Sequence, residues 1–342
     1  MKLRAPRNRT ITLSDNDRDR LSEKLVRRYD SFRTDRPVDR TILGDYKDVV
    51  PYLPQKFVDL MILDPPYNLT KDFNGNRFAR RSADEYTKFL RESFSSLKPL
   101  LKDTATVYIC GDWLSSFSIF AAASDFFIVR NRITWEREKG RGAIRNWKNS
   151  SEDIWFCTVS NAFTFDANNV RLRRKVIAPY RLQDGTPKDW LETESGNFRN
   201  TAPSNLWTDL TIPFWSMPEN TDHPTQKSEK LIAKLILASS KPGDFVFDPF
   251  LGSGTTSVAA KKLGRCFLGV EINEEYCLLA EKRLEMAEKD RTIQGYNDGV
   301  FWERNTLVDQ IKKDLMANGH LRIRSPKLKR KTPDQKQINF GF

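Results

Sequence analysis

The sequence after His223 alternates stretches of helical spacing with short apolar runs, and this alternation constrains the fold more than any other feature. Each stretch of helical periodicity is followed by a strand-like run of a few residues, and the unit then repeats. Chains that alternate in this way form a parallel sheet with helices on both faces. We therefore predict an α/β fold with a doubly wound sheet. The predicted elements are a helix at 229–240, a strand at 244–247, a helix at 254–263, a strand at 265–272 and a helix at 274–288.

The first half of the chain shows the same alternation. The run at 57–63 is apolar almost throughout, as expected for a strand that is buried on both faces of a parallel sheet. The stretch at 82–101 carries apolar residues at helical spacing. Further strands are predicted at 41–43, 104–110, 126–135 and 153–159.

Three regions interrupt this pattern. Residues 161–222 mix arginines with aromatic residues at poor helical periodicity, which predicts an inserted, loop-rich module. Near the N-terminus, Ser14 is a candidate cap for a helix that runs to Tyr29 and packs on the domain. The chain is thus divided into a basic N-terminal extension (1–37), a first part of the main domain (38–160), the insert (161–222), a second part (223–290) and a basic C-terminal extension (291–342).

Composition favours a polyanionic partner. The 342 residues carry a net charge of +12, which indicates nucleic acid more than any other ligand. A hydrophobic content of 39% is enough for a sizeable core. No apolar run approaches the roughly 18–20 residues that span a bilayer, and the first ten residues lack the apolar stretch of a signal peptide. We expect a cytoplasmic protein that does not interact with membranes.

Cysteine and histidine usage argues against a metal centre. The four cysteines are Cys110, Cys157, Cys266 and Cys277, and no two of them have metal-ligand spacing. Each lies among apolar neighbours, so we interpret them as reduced core residues. With only two histidines in the chain, a histidine-rich metal site is excluded and a Ser-His-Asp hydrolase is disfavoured.

A glycine turn marks a cofactor site. The predicted strand at 244–247 is joined to the following helix by the run Asp248-Pro249-Phe250-Leu251-Gly252-Ser253-Gly254-Thr255-Thr256. Glycine lets the backbone approach a ligand, and a helix N-terminus offers N–H groups and a partial positive charge. The run is not the dinucleotide fingerprint, because position 257 is Ser, and it is not a P-loop. Glu271 ends the next strand and can accept hydrogen bonds from both ribose hydroxyls, so S-adenosylmethionine fits the site.

A second motif is suited to holding an amino group. The predicted strand at 57–63 ends in Asp64-Pro65-Pro66-Tyr67, at the edge of the sheet where such folds bind ligands. An exocyclic base amine has two N–H groups, one for the Asp64 carboxylate and one for the Pro65 carbonyl. This arrangement directs the nitrogen lone pair toward a methyl donor. Tyr67 offers a flat surface for stacking a base, which must first be flipped out of its duplex.

With these residues in place, the chain resembles the β-class amino-DNA methyltransferases, which methylate adenine N6 or cytosine N4. The resemblance covers residues 38–290. In that family the amine-holding motif precedes the cofactor motif and a target-recognition region lies between them, as residues 161–222 do here. The segment His223-Pro224-Thr225-Gln226-Lys227 matches the family's segment ahead of the cofactor turn, except that Ser228 replaces the usual proline.

The resemblance implies a seven-stranded, mostly parallel sheet with one reversed strand. It also implies double-stranded DNA as partner, and a homodimer. Whether a companion restriction endonuclease exists stays open. The implied target-base residues are Asp64, Pro65, Pro66 and Tyr67, with Glu152 near the base pocket. The implied cofactor residues are Asp45, Lys227, Asp248, Phe250, Gly252, Ser253, Gly254, Thr255 and Glu271.

Several alternatives are weighed against this interpretation. Cytosine carbon-5 methylation needs a nucleophilic cysteine, commonly after proline, and no cysteine here follows proline. Glutamine methyltransferases of release factors resemble the pattern, but their motif usually begins with Asn and their cofactor turn comes first. A catalytically silent DNA-binding subunit is disfavoured by the two intact motifs. Asp at the first motif position favours adenine, and cytosine N4 stays a live alternative.

Overall fold

The structure is a computed structural model that describes residues 5–33, 36–73, 76–137, 144–176, 180–193 and 196–304. The basic segment 322–331 of the predicted C-terminal extension lies outside these residues. The helices are α1 Asp15–Ser22, α2 Tyr46–Val49, α3 Ala83–Leu97, α4 Ser116–Ser124, α5 Glu229–Ser239, α6 Thr255–Lys262 and α7 Glu274–Lys289. The strands are β1 Arg40–Leu43, β2 Val58–Leu63, β3 Lys71–Phe73, β4 Asn76–Phe78, β5 Leu101–Gly111, β6 Ile128–Glu136, β7 Ser151–Thr158, β8 Leu172–Lys175, β9 Leu191–Thr193, β10 Gly196–Thr201, β11 Leu206–Trp207, β12 Phe245–Asp248, β13 Cys266–Glu271, β14 Tyr296–Asn297 and β15 Val300–Trp302.

The main sheet of the described chain has eight strands in the order β1-β13-β12-β2-β5-β7-β6-β11. Every neighbouring pair from β1 to β5 is parallel. Strand β7 runs antiparallel to both β5 and β6 and is the reversed strand of this sheet. The doubly wound, mostly parallel sheet is therefore confirmed, with one strand more than the expected seven.

The additional strand, β11, comes from the predicted insert. It pairs in parallel with β6, next to a backbone hydrogen bond of 2.8 Å from the Thr134 N–H to the Asn205 carbonyl. Trp207 is buried, and its indole N–H donates to the carbonyl of Ser204 at 2.7 Å. Two residues are too few for a period of two to be visible in a sequence, so this strand could not be predicted.

The central strands are apolar on both faces because helices cover both faces. Alternate residues of a strand point to opposite sides of its sheet. Met61 and Leu63 of β2 belong to one buried apolar cluster, whereas Leu60 and Ile62 belong to the cluster on the other side. The run at 57–63 is thus nearly continuously apolar because its strand is buried on both faces, as the sequence indicated.

Helix α1 packs on the main domain as expected, but it is shorter than the predicted stretch. The Ser14 hydroxyl accepts from the Asp17 N–H at 3.2 Å and the Asp17 carboxylate accepts from the Ser14 N–H at 3.0 Å, which forms a capping box. Leu21 is buried against Cys277 of α7. The helix ends at Ser22, and the chain continues to Val26, which forms a bridge with Ile42 at the edge of the main sheet.

A second sheet has the order β14-β15-β8-β10-β9 within the described residues. Strands β8, β9 and β10 come from the insert at 161–222, whereas β14 and β15 come from the predicted C-terminal extension. Strand β15 pairs in parallel with β8, with Phe301 opposite Leu172. The first residues of the C-terminal extension are therefore part of one folded unit with the insert.

Helix α5 lies between the two sheets, and all of its residues are buried. Leu231 and Leu235 pack in a cluster with the main sheet, and Leu237 packs in a cluster with Phe301 of the second sheet. No helix among the described residues is both long enough and apolar enough to span a bilayer.

Burial of α5 includes two lysines, and one carboxylate pairs with both. The ammonium groups of Lys230 and Lys234 each lie 2.8 Å from a carboxylate oxygen of Asp209, just after β11. Lys234 also lies 4.3 Å from the centre of the Trp207 ring. Since a buried charge is tolerated only when it is paired, this triad fixes the insert against α5.

Candidate active site

A cavity of about 530 Å³ opens at the edge of the main sheet where β1, β13, β12 and β2 end. Strands β2 and β12 are parallel neighbours, with Phe247 opposite Met61, so the residues that follow both strands meet at this edge. Of the predicted site residues, the following line the cavity: Asp45, Asp64, Pro65, Pro66, Tyr67, Glu152, Lys227, Asp248, Phe250, Gly252, Ser253, Thr255 and Glu271.

The two glycines of the cofactor turn have different surroundings. Gly252 has a φ of +54°, and a Cβ atom there would lie 3.0 Å from Nε2 of His223. Gly254 caps α6 with a φ of +85°, and a Cβ atom there would lie 2.5 Å from the Cβ of Ala280 on α7. Gly252 faces the cavity, whereas Gly254 is not among the residues that line it. The second glycine therefore allows α6 and α7 to pack closely.

Glu271 is held in position by backbone N–H groups. Gly252 donates to Oε2 and Asn273 donates to Oε1, both at 2.8 Å. Burial raises the pKa of Glu271 above its ordinary value, and these hydrogen bonds act against that rise. A carboxylate oxygen can accept more than one hydrogen bond, so both oxygens keep capacity for hydroxyl groups of a ligand.

Asp248 has a structural environment although it lines the cavity. Its Oδ1 accepts from the Phe250 N–H at 2.9 Å, and its Oδ2 accepts from the Thr256 hydroxyl at 2.5 Å. Burial raises the pKa of Asp248 to about 7. These two hydrogen bonds join the end of β12 to Phe250 and to α6, so the carboxyl group shapes the turn that the cofactor motif was predicted to form.

Asp45 and Phe250 meet at the β1 end of the cavity. Asp45 follows β1 and caps the short helix α2, where its Oδ1 accepts from the Lys47 N–H at 3.0 Å. Tyr46, on the same helix, packs on Phe250 with ring centres 4.9 Å apart. The glycine turn and the loop after β1 therefore form one wall.

The amine-holding motif contains an ion pair that the sequence did not reveal. The Lys227 ammonium lies 2.9 Å and 2.7 Å from the two carboxylate oxygens of Asp64. It is also 3.7 Å from Glu152, and its side chain is only 9% exposed. Burial acts to lower the pKa of Lys227, but the charges of Asp64 and Glu152 outweigh burial and raise it. The Lys227 side chain was predicted at the cofactor, yet its ammonium lies in the amine site.

Only the backbone of Lys227 contacts the glycine turn in the described structure. Its carbonyl accepts from the Thr255 hydroxyl at 3.2 Å. Arg283 of α7 donates to the same hydroxyl at 3.0 Å and to the Ser253 carbonyl at 2.7 Å. The segment ahead of α5 is thereby joined to the turn ahead of α6.

Tyr67 forms the wall opposite Lys227. Its hydroxyl donates to Glu152 at 3.4 Å, and the Lys227 ammonium lies 5.2 Å from the centre of its ring. Burial raises the pKa of Tyr67 well above its ordinary value, so the hydroxyl stays protonated at neutral pH. Tyr86 of α3 donates to the carbonyl of Pro66 at 3.1 Å and supports the motif from behind.

Sequence reasoning missed two further residues of the cavity wall. Arg137 lies 2.7 Å from Oε1 of Glu152, although nothing around Arg137 in the sequence marked it. His223 packs edge-on against Tyr276 with ring centres 4.4 Å apart, beneath Gly252. The predicted match at 223–227 was a signal for His223, but its contact with the turn depends on the tertiary fold.

Comparisons with known proteins agree with this geometry. Residues 58–282 match the family of N6 and N4 DNA methylases. The chain is 34% identical to the type II methyltransferase M.HpaI of Haemophilus parainfluenzae, over 68% of this chain and 70% of that protein. It is 31% identical to the DNA adenine methyltransferase YhdJ of Escherichia coli K12, over 81% of this chain and 95% of that protein.

Solved structures show the same fold. The complex of M1.HpyAVI with S-adenosylmethionine superposes with a TM-score of 0.50 at 26% identity, over 71% of this chain and 98% of that one. The cytosine-N4-specific PvuII DNA methyltransferase superposes with a TM-score of 0.56 at 15% identity, over 83% of this chain and 94% of that one, which shows the fold alone. The chain therefore belongs to the N6/N4 DNA methylase family, whose members use S-adenosylmethionine to methylate an exocyclic amine of DNA.

Proposed function

We propose that this protein methylates adenine N6 in double-stranded DNA, with cytosine N4 as the alternative target. One observation carries the proposal: the Asp64 motif and the glycine turn share one cavity, although each follows a different strand. The first motif residue is Asp, and the relative YhdJ is named a DNA adenine methyltransferase. A silent binding subunit would not need a buried ion pair at Asp64 beside a nucleoside-sized cavity.

The cavity has the groups that S-adenosylmethionine needs. Glu271, held by two backbone N–H groups, is suited to the ribose hydroxyls. Gly252 allows close approach of the ligand at the N-terminal side of α6. Asp45 is assigned to the adenine side, Phe250 to the methionine and ribose region, and Ser253 and Thr255 to the turn. When bound, the cofactor supplies a methyl group activated by a sulfonium.

Asp64 is the group assigned to the amine. Its carboxylate accepts one N–H of the target amine and the Pro65 carbonyl accepts the other, so the nitrogen lone pair is turned out of the ring plane. The amine nitrogen must lose a proton when it is methylated, and Asp64 is the group assigned to accept that proton. The Lys227 ammonium lies 2.7 Å from this carboxylate and fixes its position.

Tyr67 is assigned to stacking on the flipped base. Glu152 accepts from Tyr67 and pairs with Arg137, and so orients this surface. We assign target recognition to the insert at 161–222 together with the strands β14 and β15 that complete its sheet. Residues 38–160 and 223–290 are proposed as the two parts of the methyltransferase domain, and residues 1–37 as an N-terminal extension.

We also propose that this protein acts in the bacterial cytoplasm, that it forms a homodimer and that it has a companion restriction endonuclease. Several relatives are named type II methyltransferases, which supports the endonuclease. The test is to find a nuclease encoded beside this protein and to show that methylation of the site by this protein blocks cleavage by that nuclease.

Support for the dimer comes from exposed apolar side chains on and before α4: Trp113, Leu114, Phe117 and Phe120.

The target base can be read directly from modified DNA. DNA treated with the purified protein and methyl-labelled S-adenosylmethionine is digested, and its nucleosides are analysed by mass spectrometry. We expect labelled N6-methyladenine. Labelled N4-methylcytosine would leave the fold and the Asp64 chemistry in place but reject adenine. Absence of any labelled nucleoside across varied duplexes would contradict the proposed activity.

Asp64→Ala should lower the methylation rate at least about a hundredfold, because the amine loses its acceptor. Cofactor binding, measured by calorimetry, should stay close to that of the wild type. Asp64→Asn is the control for folding, since it keeps the shape and removes the charge; it should be comparably inactive. An Asp64→Ala enzyme with near-normal rate would exclude Asp64 as the acceptor.

Glu271→Ala should weaken S-adenosylmethionine binding about tenfold or more, because two charge-assisted hydrogen bonds to the ribose are lost. DNA affinity, titrated separately, should change little. Glu274→Ala is a matched control, because Glu274 begins α7 and pairs with Arg27 outside the cavity. Equal cofactor affinity of the Glu271 variant and the wild type would reject the ribose assignment.

Sedimentation velocity should show a dimer at micromolar concentration. Phe117→Asp places a charge in the apolar patch on α4 and should shift the protein to monomer. A monomeric wild type would contradict the dimer, and a Phe117→Asp variant that stays dimeric would place the interface elsewhere.

A further inference from the structure

The connection between β6 and β7 is fixed at its base to the candidate target pocket. The two strands are antiparallel, and their last pair joins Glu136 to Ser151. The Arg137 N–H donates to the Ser150 carbonyl at 2.6 Å, which closes the connection. Arg137 and Glu152, on either side of it, form an ion pair of 2.7 Å and both line the cavity. The two described ends of the connection therefore begin at the pocket wall.

The described part of this connection, residues 144–150, exposes large apolar groups. The Trp147 side chain is 94% exposed and the Ile144 side chain is 99% exposed. A single exposed apolar residue needs no explanation, but two within four positions beside a ligand cavity indicate a contact surface. An exposed tryptophan side chain leaves a large apolar area in contact with water. A partner that covers the ring therefore gains binding free energy from burying that area.

The charge around Trp147 indicates what that partner is. Arg145 and Lys148 flank it, and residues 144–150 contain no acidic residue. Cationic side chains beside a flat aromatic ring suit a nucleic acid, which offers phosphates next to stacked bases. Trp147 is three residues from Ser150, so it lies at most about 11 Å along the chain from the base of the connection.

A base that enters the pocket leaves a gap in its duplex. Unstacking costs free energy, and apolar side chains inserted at a base step are a known way to offset it. We propose that Trp147 occupies the space left by the flipped base, while Arg145 and Lys148 contact the flanking phosphates. This inference rests on the proposed function and assigns the β6–β7 connection to opening the duplex. The ion pair between Arg137 and Glu152 fixes the base of the connection that carries Trp147 beside the pocket.

The test compares two duplexes that differ only opposite the target base. One is fully paired, and the other has an abasic site opposite the target, so that the base is already unpaired. With Trp147→Ala, we expect methylation of the paired duplex to fall about tenfold or more, as expected for the loss of one aromatic–base stack. The rate on the abasic duplex should stay close to that of the wild type.

Two further variants sharpen the result. Trp147→Phe keeps an aromatic ring and should retain most of the rate on the paired duplex. Ile128→Ala removes an exposed apolar side chain at the start of β6, at the opposite edge of the sheet, and it should affect neither duplex. Fluorescence of 2-aminopurine at the target position should rise on binding of the wild type and rise less with Trp147→Ala.

Several outcomes would overturn the inference. An unchanged rate of Trp147→Ala on the paired duplex would show that this side chain does not help to open the duplex. An equal loss of rate on both duplexes would indicate a role in general DNA affinity or folding. A change in sedimentation without a change in rate would assign Trp147 to contact with a second copy. Failure of the wild type to methylate either duplex would instead contradict the proposed function, and so the two failures are distinguishable.

Discussion

The parallel pairing of β2 with β12 is the constraint on which the rest of the site depends. It places Met61 opposite Phe247, so the residues that follow the two strands emerge side by side. Asp64 follows one strand and the glycine turn follows the other. Because both strands are buried on both faces, slipping the register by one residue would turn each apolar side chain to the wrong layer. Core packing thereby brings the Asp64 motif and the glycine turn to one cavity.

A buried network of charges then sets the chemistry of this edge. Lys227 lies between Asp64 and Glu152, and Glu152 in turn engages Tyr67 and Arg137. Removing one member leaves the others buried with fewer partners, so the network holds the target pocket in one arrangement. Its members come from four separate parts of the chain, and only the folded main sheet brings them together.

Helix α5 connects the cavity edge of the main sheet to the second sheet. It follows Lys227 directly, and it is covered by the main sheet on one side and the second sheet on the other. Asp209 forms an ion pair with both buried lysines of the helix. A displacement of the insert would break these ion pairs, so they fix the insert to the helix that begins two residues after Lys227.

The sequence by itself determined the alternating elements, the doubly wound sheet and both ligand motifs, because these depend on local periodicity and turn chemistry. The sheet partners of the insert, the ion pair of Lys227 with Asp64 and the link from Arg137 to Glu152 were decided only by the tertiary structure. Asp64 and Lys227 are 163 residues apart, and nothing local distinguishes a buried, paired lysine from a solvated one. Likewise, Lys230 and Lys234 have the spacing of a solvent-facing helix surface, and only the tertiary fold of the insert and the second sheet buries them.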